Sequence, residues 1–257
     1  MGRIAETLID ISNIEKYAEN NTLIHSLDPR CKILTVLFFS FTVVSFNHYT
    51  TFALAPLFAF PLFIIIIADI PFIYLLKKVL FVSLFAFTVA IANPFLDHTA
   101  AIHIGDITIS GGWLSFSSIM LRFFLTASAA LLLLMTTGMY NISKGLEKLG
   151  VPHILTMQLF FLCRYIFSLT EEASRVDRAR AARSFGKKGM GIGVFNNIVS
   201  SLFIRSLDRA ERVYTAMRCR GFDGSIKTLE KIEWKIRDTV FILTWTVFFI
   251  FCRLKSG

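Results

Sequence analysis

The groups in this 257-residue chain that could do bond chemistry are spaced in ways that give them little to act on. Cys31, Cys163, Cys219 and Cys252 lie far apart, with no CxxC and no Cys/His cluster, which argues against a disulfide framework or a zinc module. His25, His48 and His153 are scattered. His98 and His103 share one stretch and could ligate a metal, but without a carboxylate cluster they read as solvated loop residues. Glu171 and Glu172 are adjacent, and successive positions do not face one another on a helix. A P-loop is missing: Gly186–Gly193 has glycines and lysines but no Ser or Thr after the lysine, and no strand before it. That stretch reads as a linker. The expectation is a protein without catalytic residues, cofactor or bound metal, and not an enzyme.

What remains is arginine. Two segments 37 residues apart share the pattern acid-x-Ala-x-Arg-Val-x-x-Ala-x-x-x-Arg-x-Phe: Glu171, Arg175 and Arg183 in the first, Asp208, Arg212 and Arg220 in the second. In each copy the acid precedes the first arginine by four residues, the favourable order for a helical ion pair. The last arginine falls at a helix end, beside Ser184 or Gly221. A helix C-terminus favours a cation and accepts glycine just beyond it. A single such arginine reads as an ordinary cap. Two with matched surroundings read as paired tips for two similar partners, because the guanidinium fork suits a carboxylate- or carbonyl-lined groove.

The elements that carry these tips are set by composition. The chain is 54% hydrophobic and 18% charged, with 27 Phe. Its mean hydropathy is +0.62. Soluble domains carry about 25% charged residues, so the chain reads as an integral membrane protein. A helix needs about 20 residues to cross a bilayer. Five spans are predicted, near 31–47, 51–70, 72–93, 113–137 and 239–252. Asp28 can cap the first helix and Pro29 suits its first position. Ile102–Ser110 alternates apolar and polar residues, as a short hairpin would. The first 30 residues are mixed and polar, which reads as no cleavable signal peptide.

Residues 138–237 hold 18 of the 27 basic residues, and the 47–50 turn and 94–112 loop hold none. The positive-inside rule then puts the N terminus, Lys77-Lys78 and 138–237 in the cytoplasm. Within 138–237, Asn141 is expected to cap a short helix ending at Gly150. Pro152 opens a long helix, about 153–185, whose apolar first half either lies against the membrane or crosses it. A second long helix is expected at about 195–220. Leu162, Ile166, Leu169, Ala173 and Val176 form a stripe on the first, and Phe203, Leu207, Ala210, Tyr214 and Met217 on the second. Each stripe is expected to bury against another helix.

At these residues the chain resembles the T component of energy-coupling-factor transporters, within it the cobalt-transport CbiQ type. Three segments carry the likeness: Leu27-Asp28-Pro29-Arg30-Cys31-Lys32 before the first span, then Ala182-Arg183-Ser184 and Cys219-Arg220-Gly221 at the two helix ends. The family typically has Ala-Arg-Gly at those ends. The resemblance implies an all-α membrane protein of about five spans with two long crossing cytoplasmic helices. It implies three parts: 1–137 with four spans, a coupling region 138–237, and a last span in 238–257. Its partners would be two ABC-type ATPase subunits, docked at Arg183 and Arg220, a separate substrate-binding membrane subunit, and membrane lipid. Nucleic acid is not expected. The substrate would be cobalt or nickel, since Ile14–Asn20 looks like that subtype. The alternatives are the T component of a vitamin importer and a membrane-anchored basic scaffold binding anionic lipid.

Overall fold

The structure is a computed structural model and describes residues 17–18, 20, 22–46, 51–92, 102–104, 107–109, 111–183, 191–222 and 234–255. The chain divides into two compact units, one of Glu15–Gly145 with Ile232–Gly257 and one of Met1–Ile14 with Leu146–Lys231.

The first unit contains α1 (Pro29–Ser45), a 3-10 segment (Thr51–Phe58) running into α2 (Ala59–Ala68), and α3 (Phe72–Ala90). A two-stranded hairpin of β1 (Ile102–Ile104) and β2 (Ile107–Ile109) follows, antiparallel with His103 opposite Thr108. Next come α4 (Gly111–Lys148), which runs to the unit boundary, and α7 (Ile236–Lys255), which closes the unit. The predicted start of α1 holds: Pro29 opens it and the Asp28 side chain accepts from the Arg30 N–H at 2.8 Å. The predicted helix over 51–70 is corrected. Its first eight residues are 3-10, with Pro56 inside, and Pro61 follows early in α2. Neither proline has an N–H to give to an α-helical ladder.

Side chains sort as they do in a bilayer. On α3 the inward positions include Ser83, Ala86 and Ala90, while Leu80, Phe81, Leu84 and Phe85 face out. Small residues let helices approach closely, and large apolar ones suit lipid. The centre of the unit is aromatic. Phe39 of α1 lies 4.7 Å from Phe60 of α2 and 5.4 Å from Phe249 of α7, and Trp245 packs edge-on to Phe60 at 4.9 Å. Such pairs contribute about 1 kcal/mol each beyond their burial.

A polar knot ties α1, α4 and α7 below that cluster. The buried Asp238 carboxylate accepts from the Asp28 N–H at 3.0 Å and the Lys235 N–H at 2.8 Å. The buried Lys32 ammonium donates to the Thr136 carbonyl at 2.8 Å and the His25 carbonyl at 3.4 Å. Burial and the Lys32 charge hold the His25 imidazole below its ordinary pKa, so it stands neutral near pH 7. Thr136 lies two residues before Gly138, where α4 kinks at φ 72°, ψ 152°. Carbonyls beside a kink are short of helical donors, and Lys32 supplies one. The expected separate helix is present, since α4 is two helices joined across the non-helical Gly138; the expected cap is corrected, because the break falls at Gly138 and Asn141 lies inside the second helix.

The second unit contains α5 (His153–Arg183) and α6 (Ile192–Cys219). Among the described residues, three helical stretches are by length and composition apolar enough to cross a membrane: Phe72–Ala90, Gly112–Lys148 and His153–Arg183. Leu54–Ala68 is a shorter apolar helix. The chain is an all-α, multi-pass membrane protein.

Candidate functional site

The two long helices end where their arginines sit. Arg183 is the last residue of α5, and Arg220 is the C-cap of α6. The end of α6 is a Schellman turn. The Phe222 N–H donates to the Met217 carbonyl at 3.1 Å and the Gly221 N–H to the Arg218 carbonyl at 3.0 Å. Gly221 takes φ +77°, a left-handed conformation that costs glycine nothing. The Cys219-Arg220-Gly221 triplet is therefore a helix stop, and its chemistry explains its composition. Ala182, Arg183, Cys219 and Arg220 are all exposed. Ser184 lies outside the described residues, as do Asp97, His98 and the Lys187-Lys188 pair.

α5 and α6 meet through polar groups. Arg209 donates to the Ser168 hydroxyl at 2.6 Å, and Glu172 receives Arg205 and Arg209, each at 3.7 Å. This contact was not legible in the repeat, which singles out Glu171 and Asp208. Glu171 does pair with Arg175 within α5, at 3.6 Å. Among the described residues Asp208 and Arg212 form no ion pair; both instead line a groove between the helices.

That contact overturns the expected burial of the stripes. Leu162 is 58% exposed, Phe203 62%, Leu207 53% and Tyr214 57%. Ile166 and Leu169 are exposed too. The reason is geometric. The stripe and the ionic face lie on different sides of each helix, and only one can meet the neighbour. Here Glu172, ion-paired with two guanidiniums at once, holds that place.

Beyond the contact the helices enclose a groove of about 920 Å³. Arg175, Arg180 and Arg183 of α5 and Arg205, Arg209 and Arg212 of α6 line it, against Glu172 and Asp208. Among the described residues no group of three or more His, Cys, Asp or Glu is placed to hold a metal ion. The features that remain are two cationic helix tips, a cationic groove and two unpartnered apolar stripes. All three suit contacts with other molecules.

Residues 20–231 match the sequence model of the CbiQ family, described as cobalt transport protein. The energy-coupling factor transporter transmembrane protein EcfT of Bacillus subtilis (strain 168) is 30% identical over 260 residues, covering 93% of this chain and 96% of the relative. The protein of the same name from Staphylococcus aureus (strain 04-02981) is 28% identical over 244 residues, covering 88% of this chain and 90% of the relative. An uncharacterized protein of Methanocaldococcus jannaschii is 28% identical over 239 residues, covering 89% and 81%.

Proposed function

The chain belongs to the CbiQ family, and from that premise we propose that it is the transmembrane T component of an energy-coupling-factor importer, joining two ATPase subunits to a separate substrate-binding membrane subunit. The observation that carries this reading is the pair of exposed arginines at the C-terminal ends of two long helices. A rigid helix transmits displacement along its length, and a guanidinium at its tip gives a motor subunit a directional, charge-assisted hold. Arg183 engages one ATPase and Arg220 the other. Ala182, Cys219 and Gly221 shape the two ends, and the Glu171–Arg175 pair stiffens α5.

The exposed apolar stripes support the third partner. The faces carrying Leu162 on α5 and Phe203 and Leu207 on α6 need cover, and a docked membrane protein supplies that cover. Motion of the ATPases on ATP binding then passes through α5 and α6 to that subunit. The transported species binds there, and we read it as cobalt or nickel. The family description names cobalt, whereas the curated relatives' names carry no substrate; the same subunit in a vitamin importer is the second reading. In this proposal the N terminus and 138–237 are cytoplasmic and the chain crosses the membrane five times.

Arg183→Ala and Arg220→Ala should each lower uptake by the reconstituted complex at least about tenfold, as loss of one partner from a buried charge pair does. The double change should abolish uptake and release the ATPases during purification, with the protein still in the membrane. Normal uptake by the double variant would sink the mechanism.

A further inference from the structure

We propose that the groove between α5 and α6 is a binding site for a phosphate-bearing anion, held by guanidiniums from both helices. Six arginines line about 920 Å³ against two carboxylates, and no lysine contributes. Glu172 is already engaged, by Arg205 and Arg209. Arg175 has Glu171, and Arg180 has Asp177 at 3.5 Å. Arg183 and Arg212 make no ion pair among the described residues, yet they line the same void from opposite helices. The groove thus holds more cation than its own acids neutralise.

Shape then selects the anion. A carboxylate presents its acceptor sites in one plane, and Glu172 pairs with two guanidiniums that both come from α6. A phosphate presents oxygens around a tetrahedral centre and can take forks from two directions at once. Guanidiniums on two helices facing one void match the second arrangement. The occupant bridges α5 to α6 and replaces repulsion between them with shared contacts. It therefore holds the two helices at one separation, and it shares Arg183 with the ATPase contact of the proposed function.

Two sources supply that chemistry: the headgroup of an anionic phospholipid and a soluble phosphate compound. α6 carries Phe195 and Val199 exposed and arginines on the groove side, the layout of a helix lying at a membrane interface. That layout lets a headgroup reach the groove.

The test uses the full chain. In an uncharged maltoside detergent, inorganic pyrophosphate is titrated calorimetrically at two salt concentrations. In a second arm the chain is moved into phosphatidylcholine nanodiscs doped with phosphatidylglycerol, and retained lipid is counted by native mass spectrometry. Each arm compares the wild-type chain with Arg175→Gln/Arg212→Gln and with Arg237→Gln, which lies outside the groove. Circular dichroism and gel filtration confirm that each variant is folded, and Arg212→Lys keeps the charge while removing the fork. Supporting results are binding that weakens with salt, falls at least about tenfold in the double glutamine variant, falls less in Arg212→Lys, and is unchanged in Arg237→Gln. Retained phosphatidylglycerol assigns the site to lipid; pyrophosphate binding without retained lipid assigns it to a soluble phosphate. No binding in either arm, or equal binding by the double variant, overturns the proposal. Tighter binding of an oligoglutamate peptide than of pyrophosphate also overturns it, in favour of an acidic protein segment.

Discussion

Lys32 is a charge placed where the first helix would otherwise be apolar, and its partners explain why it is tolerated. Its ammonium is 5% exposed as a residue and donates to two backbone carbonyls. Asp28 and Asp238, both buried, lie in the same knot. Replacing one member of such a group leaves the others uncompensated. Lys32→Met keeps the stem and removes the donor, and it should destabilise the protein by about 3 kcal/mol. Thermal unfolding in detergent reads this directly. A variant as stable as the native chain would mean that the Thr136 and His25 contacts add nothing. The same scale explains the arginines. Arg183 and Arg220 are alike in sequence, but only Arg220 sits in a described Schellman turn.

At the level of elements, the informative feature is the kink in α4. Gly138 adopts φ 72°, ψ 152°, a region open to glycine almost alone. A Cβ there would also sit 3.2 Å from the Cβ of Ala18. Gly138→Ala should cost about 1–3 kcal/mol, or straighten the helix and displace Thr136 from Lys32. Chemical denaturation should show the loss, and an unchanged midpoint would mean that the kink is not built on that glycine. The α5–α6 contact belongs to this scale too. Pairing through Glu172 is worth less than burying an apolar stripe would be in water. In the proposed assembly the stripes are instead covered by the membrane partner.

For the whole molecule, the distribution of basic residues sets the proposed orientation. Single cysteines at Asp97 and Lys187, in a background lacking the native cysteines, test it with a membrane-impermeant thiol reagent. Asp97→Cys should react in intact cells and Lys187→Cys only after lysis. The reverse pattern would overturn the orientation. Reaction of both from the same side would mean that α5, apolar enough to cross, does so.

The sequence by itself determined the class, the helix positions and the two arginine-bearing ends. Those depend on local chemistry: long apolar runs, Asp28-Pro29 at a helix start, Gly221 at a helix stop. The helix ends drifted by only a few residues, from about 195–220 to Ile192–Cys219 for α6. Besides the 3-10 opening of the second span and the misplaced Asn141 cap, local chemistry was silent in two places. α1 is apolar on every side, so nothing in its pattern distinguishes buried Phe39 from exposed Phe41. The stripes of α5 and α6 repeat as coiled coils do, yet periodicity names a face without naming what covers it. Only the tertiary structure decided that Glu172 would join the helices. It also decided that arginines interleaved with acids along the chain would gather around one groove. Their grouping depends on which sides of two helices meet, and spacing along one chain holds no record of that choice.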